Sequence, residues 1–317
     1  MRFKKNSQAS AVALKRRKNF KENWFFYLLP LPGIIFLIMF CYFPMAGLYI
    51  VFERFTFDGG LFGSEFVGLK NFEFFFKNMD NALRATKNTL IINFGGIVFG
   101  TIVNVLVAIM VNEIKNKRFR GIAQSVMLFP YFMSWVALGA ISRAFLDKPG
   151  GLINQILATL DMKTIDFYMN SKYWHGILIF VGAWKNVGYG SLIYYAAIVS
   201  FDSSLYEAAK LDGAGRTKQM WYITLPLLKP TIIIMVLLGI GGVLMGSVDS
   251  VMGMTQLNPL LLKSTDTIAT FVYRSAIASG RFEAASAVTL YQSVFGFVMV
   301  MIANYTVKKV DPEYALF

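Results

Sequence analysis

The chain has 317 residues, of which 56% are hydrophobic and only 15% charged, against about 25% charged in an ordinary soluble domain. With a mean hydropathy of +0.53, that apolar excess belongs in a bilayer rather than in water. The formal charge of +13 would suggest nucleic acid in a soluble protein, but 31 Lys and Arg against 18 Asp and Glu fall in blocks between long apolar runs, the pattern that orients a membrane protein.

A single cysteine, Cys41, and a single histidine, His175, exclude an intrachain disulfide framework and a multi-Cys/His zinc cluster. No phosphate-binding GxxxxGK[ST] loop and no HExxH occurs; Gly213-Ala-Gly215-Arg-Thr-Lys218 has the wrong spacing. The sequence therefore predicts no ATP hydrolysis by this chain itself.

A spanning helix needs about 20 mostly apolar residues. The chain opens on a polar, basic tail, 1–23, with Lys15-Arg16-Arg17-Lys18, which reads as an orientation and lipid-headgroup signal or as a partner site. The first apolar run, 24–52, is too long for a signal peptide and no small-residue cleavage site follows it, so it reads as a retained span. The second, 89–111, carries Gly96 and Gly100 at the spacing that lets helices approach closely. The third, 125–145, holds Arg143 near its outer end, where it can snorkel. His175 lies at the outer end of the fourth span, 174–200, which also carries Trp184, Lys185, Asn186, Tyr189, Tyr194 and Tyr195.

A polar loop, 201–230, follows: Ser204-Leu-Tyr-Glu207-Ala208-Ala209-Lys-Leu211-Asp212-Gly213-Ala214, then Met220-Trp221-Tyr-Ile223-Thr-Leu-Pro226. Ser204-x-x-Glu207 has capping-box spacing, which predicts a helix start there. Asp212-Gly213 breaks that helix with a residue that tolerates positive φ. A second helical turn reaches Trp221, and Pro226 and Pro230 set the chain's approach to the fifth span, 231–252. That span contains Asp249 and a second pair, Gly242 and Gly246; the sixth runs 287–307. A charge at a helix centre costs about 2.5–3.5 kcal/mol on insertion scales, so Lys185 and Asp249 either pair with each other or line a cavity.

Lys and Arg number 18 in the tails and the segments 112–122 and 201–230, against 10 in the intervening segments 53–86, 146–173 and 253–286. By the positive-inside rule both termini and the 112–122 and 201–230 loops are expected in the cytoplasm. The expected organisation is a basic tail (1–23), a first span with its outer loop (24–86), a five-helix core (87–307) and a short terminal tail (308–317).

The 201–230 loop resembles the EAA loop of binding-protein-dependent ABC importer permeases, E-A-A-x-x-D-G-A followed by an ending in I-x-x-P. Glu207, Ala208, Ala209, Asp212, Gly213, Ala214, Ile223 and Pro226 match it, with Met220 where Phe or Leu is common. Other segments resemble the polysaccharide and lipo-oligosaccharide branch of the maltose-importer-like permeases, among them Leu29-Pro-Leu-Pro-Gly33, Val67-Gly68-Leu69-Lys-Asn71-Phe72, Gly151-Leu-Ile-Asn154-Gln155, Asn258-Pro259, Tyr273-Arg274 and Asp311-Pro-Glu-Tyr314.

The resemblance implies an all-α, six-span permease of the type I ABC importer fold in the cell membrane. It would carry no cofactor of its own and work with a second permease, two ATPases that bind ATP and Mg, and a solute-binding lipoprotein or periplasmic protein. It further implies that Glu207 caps or forms a salt bridge and that Ala208 and Ala209 allow close docking on the ATPase. Gly213 would make the turn beside Asp212 and Ala214, and Leu211, Met220 and Trp221 would supply apolar contact. Trp184, Lys185, Asn186, Tyr189 and Asp249 are candidates for the substrate path, because sugar rings stack on aromatics and hydroxyls bond to amides. Helical aromatics also serve plain packing and interfacial belts. The rival readings are a membrane-embedded enzyme, a channel or secondary transporter without an ATPase, and an importer of some other solute.

Overall fold

The computed structural model describes residues 23–77, 79–277 and 280–315; all but the last residue of the basic tail lies outside them. The chain divides into two compact units, one ending at Gly68 and one beginning at Leu69. The first holds one long helical rod, α1 (Trp24–Phe52). Of its three prolines, Pro30 caps the segment Leu31–Leu37, and Pro32 and Pro44 sit in the first turns of successive segments, where a missing N–H costs least. Most of its large side chains from Trp24 to Phe43 are exposed, and a helix apolar all round belongs in lipid. A two-stranded antiparallel ribbon, β1 (Glu53–Arg54) with β2 (Glu65–Phe66), follows and carries a 3.0 Å Arg54–Glu65 ion pair.

The second unit is built on α2 (Met79–Glu113), α3 (Lys117–Phe132), α4 (Trp135–Leu146), α5 (Trp174–Val199), α6 (Ser203–Leu211), α7 (Arg216–Gly241), α8 (Val248–Thr255) and α9 (Phe282–Val310). The long helix α5 packs parallel to α2, its start at Asn88 and its end beside Ala108, and antiparallel to α3, while α7 packs on α9 and α8 on α4. Three apolar clusters bind the bundle: Leu138, Trp174 and Met254 in one, Ala108, Tyr194 and Leu228 in a second, and Phe75, Leu244 and Ile268 in a third.

Six apolar runs thus become five long helices and one bent pair. Two spans differ from the sequence reading. The third is not straight: α3 and α4 meet at 101°. Pro130 lies in the last turn of α3, and Ser134 stops it by capping α4, its hydroxyl accepting the Ala137 N–H at 3.1 Å. The fifth begins about 15 residues early, at Arg216, and ends at Gly241. Its first turns absorb Met220, Trp221 and Pro226 through a wide turn over Met220–Thr224, where Leu225 N–H reaches back five residues to Met220. That widening accommodates a proline that a regular α-turn would reject. The glycines at 241, 242 and 246 then end the helix, so Asp249 sits in the first turn of the separate α8.

The small-residue pairs are also read differently by the structure. A Cβ at Gly96 or Gly100 would meet nothing within 4 Å, and one at Gly246 only ordinary contacts. The close backbone crossings are elsewhere: Gly188 lies on the Met127 carbonyl, Gly139 on the Gly253 carbonyl and Gly296 on the Gly241 carbonyl. Gly188→Ala or Gly139→Ala should therefore cost about 1–3 kcal/mol through overpacking, read as a lowered melting temperature in detergent. Gly96→Ala should melt like the parent; an equal loss at Gly96 would contradict this packing.

Candidate functional site

Two regions concentrate chemistry, one at an end of the bundle and one in its middle. At the end, α6 starts at Asp202 rather than Ser204. The Asp202 carboxylate accepts the Ser204 N–H at 2.9 Å, so no capping box involving Glu207 forms. Asp202 is also bonded by the Ser204 hydroxyl, and these hydrogen bonds hold its carboxyl below the usual range. A depressed folded value means that the cap contributes fully above the ordinary carboxylate pKa, about 3.9, and is lost as pH falls through the lower folded value. Asp202→Ala should remove it at neutral pH, raising hydrogen exchange at Ser204 and Leu205 in the purified protein. Unchanged exchange would contradict the cap.

The far end of α6 closes in a Schellman turn. Gly213 N–H donates to Lys210 O at 3.1 Å and Ala214 N–H to Ala209 O at 2.8 Å, with Gly213 at φ +76, the left-handed conformation this motif requires. Gly215 then opens α7, and the Gln219 amide donates to Ala214 O at 2.9 Å. The hydroxyls of Tyr206 and Thr224, 3.1 Å apart, tie α6 to the wide turn of α7. Arg216 pairs with Glu113 at the end of α2. The result is a rigid helix–turn–helix that presents its outer face to solvent. Glu207, Ala208, Asp212 and Gly213 are exposed, while Ala209, Ala214 and Met220 are partly covered. Leu211 is 89% exposed and Trp221 61%, too much for a chain that gains by burying them. Glu207 has no hydrogen-bond or ion-pair partner among the described residues, so it caps nothing within the chain.

In the middle, a cavity of about 450 Å³ opens among α2, α5, α7 and α8, lined by Asn93, Asn104, Asn186, Tyr194, Ser247 and Ser250 with Gly96, Gly100 and Gly242 between them. Gly96, Gly100 and Gly242 thus form cavity wall. Asn93 donates to Val243 O at 2.8 Å and Met245 O at 2.7 Å, and the buried Gln292 to Leu244 O. These amides satisfy the carbonyls freed where α7 ends, as irregular backbone at membrane depth must be satisfied.

A second cavity of about 620 Å³ brings Lys185 and Asp249 together with Arg143, Gln256 and Trp135. No Lys185–Asp249 ion pair forms among the described residues. The Lys185 ammonium instead donates to Pro130 O at 3.3 Å, Tyr131 O at 2.7 Å and Met133 O at 2.6 Å, the carbonyls exposed at the break between α3 and α4. A cation at a helix C-terminus also meets the favourable end of the dipole. Arg143 lies 4.7 Å over the Tyr168 ring and donates to Gln256 at 3.4 Å. Tyr168 lies outside the spans, and burial pushes its phenol up against the opposing pull of Arg143.

The five path candidates therefore part company. Asn186 lines the central cavity, and Lys185 and Asp249 the second. Trp184 faces an apolar groove of about 750 Å³ with Phe99, Phe129 and Phe180. Tyr189 stacks on Tyr131, centroids 5.0 Å apart at 15°. Residues 184–186 point three ways because each helical step turns about 100°. Asn93, Asn104 and Ser250 were not singled out by sequence reasoning; the available signal was an amide inside an apolar run.

Residues 96–312 match the family model described as "Binding-protein-dependent transport system inner membrane component". The chain is 35% identical to the polygalacturonan/rhamnogalacturonan transport system permease protein YteP of Bacillus subtilis (strain 168), over 96% of this chain and 95% of that one. Among solved structures it is similar to a chain of a bacterial ABC transporter involved in the import of the acidic polysaccharide alginate, with TM-score 0.77, 29% identity and 94% and 99% of the two chains covered. It is likewise similar to a chain of a bacterial alginate ABC transporter in complex with alginate pentasaccharide-bound periplasmic protein, with TM-score 0.79, 30% identity and 92% and 97% covered. A solvent-facing helix–turn–helix, a polar cavity among α2, α5, α7 and α8 and matches over nearly the full length agree: this chain is a membrane-spanning permease subunit, a member of the binding-protein-dependent ABC transport system inner membrane component family.

Proposed function

We propose that this chain forms half of the membrane path of an ATP-driven importer of oligosaccharides, residing in the cell membrane with both termini in the cytoplasm. The observation that carries the reading is the α6–α7 unit, which offers an unpaired Glu207 and exposed Leu211 and Trp221 on a rigid turn. Such a surface suits a cleft in a separate ATPase, of which two would serve one pair of permeases. The Lys and Arg excess on the same side of the membrane supports a cytoplasmic placement of that unit. The second permease is a different chain in this reading, and an extracellular binding protein hands over the cargo.

The cargo assignment draws on the relatives, whose names specify polygalacturonan, rhamnogalacturonan and alginate, and on the lining of the central cavity. Amides and hydroxyls of Asn93, Asn104, Asn186, Tyr194 and Ser250 suit sugar hydroxyls, and Trp135 offers a ring face. Trp184, Lys185, Tyr189 and Asp249 flank this path rather than share one site with Asn186. Coupling follows from differential affinity: ATP favours the closed ATPase pair, the loaded binding protein favours the outward-open permease, and α6 links the two equilibria.

Purification from the native membrane in mild detergent, with mass spectrometry of what stays bound, tests the assembly. Recovery of an ATPase, a second permease and a solute-binding protein is the expected result. Recovery of the chain alone, repeated after nucleotide trapping, would overturn the reading.

A further inference from the structure

A pocket of about 710 Å³ opens at the end of the bundle away from α6, lined by Arg84 and Lys87 of α2, Lys172 and His175 at the start of α5, and Lys263 of the turn Leu262–Thr265. Among the described residues no Asp or Glu lines it. The nearest carboxylate in sequence, Asp266, is fully buried and already serves two guanidinium groups, Arg84 at 3.0 Å and Arg274 at 2.9 Å. The ammonium groups of Lys87, Lys172 and Lys263 have no carboxylate partner among the described residues, and all three side chains are exposed.

This is not a loose charge run. The three segments come from distant parts of the chain and are clamped together. The buried Asn88 donates to Lys263 O at 3.2 Å and Asp266 O at 3.1 Å, which leaves its Oδ1 to accept from His175 Nε2 at 2.9 Å. Ser264 donates to Ser171 O. Gathering like charges on a clamped rim costs Coulomb energy, a cost that an anionic ligand would offset. The volume lies within the range of small-molecule sites, and Asn170 and Ser171 add hydroxyl-binding groups to the wall.

We propose that this pocket binds carboxylate-bearing oligosaccharides, holding uronate carboxylates between Lys87, Lys172 and Lys263 before the chain of sugars reaches the central cavity. The proposal rests on the importer reading and adds to it a second sugar site and a preference for acidic cargo. The position fits: α5 runs about 39 Å from the pocket to the end that carries α6, so the pocket lies at the mouth opposite the ATPase surface. An ammonium on a flexible stem suits a mobile, weak, multi-point contact better than a locked one.

The test uses the assembled transporter, without its binding protein, in phosphatidylcholine nanodiscs. Binding of tetragalacturonate and of its methyl ester is measured for the parent, for K172Q and for the triple variant K87Q/K172Q/K263Q. The expected result is about a tenfold or greater loss of tetragalacturonate affinity in the triple variant and a smaller loss in K172Q. The ester should bind all three alike, and affinity for the acid should fall on going to about 0.5 M salt. Equal binding of acid and ester by the parent, or a triple variant that binds the acid as the parent does, would overturn the site. So would displacement of tetragalacturonate by phosphatidylglycerol in the disc, which would assign the pocket to a lipid headgroup. Charge-dependent binding by a preparation that holds no ATPase would strike the importer reading while leaving this site standing.

Discussion

Gly213→Pro is expected to abolish ATP-dependent uptake while leaving the permease folded in the membrane. At φ +76 the position is open to glycine and closed to proline, whose ring fixes φ near about −65°. Proline also deletes the N–H that donates to Lys210 O, and the same turn carries the Ala214 N–H to Ala209 O. With both lost, α6 no longer leaves α7 in its present direction, although the apolar clusters of the bundle are untouched. A misdirection worth about 3 kcal/mol corresponds to a hundredfold or more in rate. Gly213→Val keeps the N–H and meets only the left-handed penalty, about 1–2 kcal/mol, so a loss nearer tenfold is expected. Glu207→Ala should also lower uptake, because the carboxylate has no partner among the described residues to lose and its removal acts on what docks there. The measurement is uptake into membrane vesicles, paired with the amount of ATPase that copurifies. Normal uptake by Gly213→Pro with the ATPase associated as in the parent would overturn the coupling role of this turn.

What the sequence disclosed follows the range of the interactions involved. The α6–α7 turn was readable because its determinants are local: Gly213 sits three residues from the carbonyl it serves, and the string from Glu207 to Pro226 is contiguous. The long spans were readable because 20 apolar residues in a row have few other uses. The bend between α3 and α4 was not, since hydropathy runs unbroken from Ser125 to Phe145 and only Pro130 and Ser134 mark the fault. The fifth span was misplaced for a related reason. A window over residues 231–252 is apolar, yet Gly241 and Gly242 end the helix inside it, and Asn93 and Gln292, from α2 and α9, satisfy the freed carbonyls. The cavity lining was least accessible, because it depends on how each helix is rotated about its axis. Asn186 and Trp184 are two residues apart and face different spaces.

Lys185→Met is the second substitution with a large expected effect, and its outcome separates two roles for the ammonium. In the structure Lys185 crosses from α5 to three carbonyls at the α3–α4 break, while Asp249, which shares its cavity, makes no ion pair with it. Methionine preserves most of the stem's bulk but offers no donor. Pro130 O keeps the Met133 N–H at 3.2 Å, but Tyr131 O and Met133 O lose the ammonium, and a carbonyl left unsatisfied away from water costs about 1–3 kcal/mol. The 101° bend is then free to open, and the wall of the 620 Å³ cavity formed by Met133, Ser134 and Trp135 moves with it. Spin labels placed on α3 and α4 should report a sharp distance in the parent and a broadened one in Lys185→Met, with no cargo present, alongside about a tenfold loss of uptake. Lys185→Arg retains donors and charge and should restore much of both. A residue that merely touched sugar would behave otherwise, raising KM for uptake while leaving the cargo-free distance sharp. That second pattern would overturn the positioning role, because the geometry requires the bend to fail before any substrate arrives.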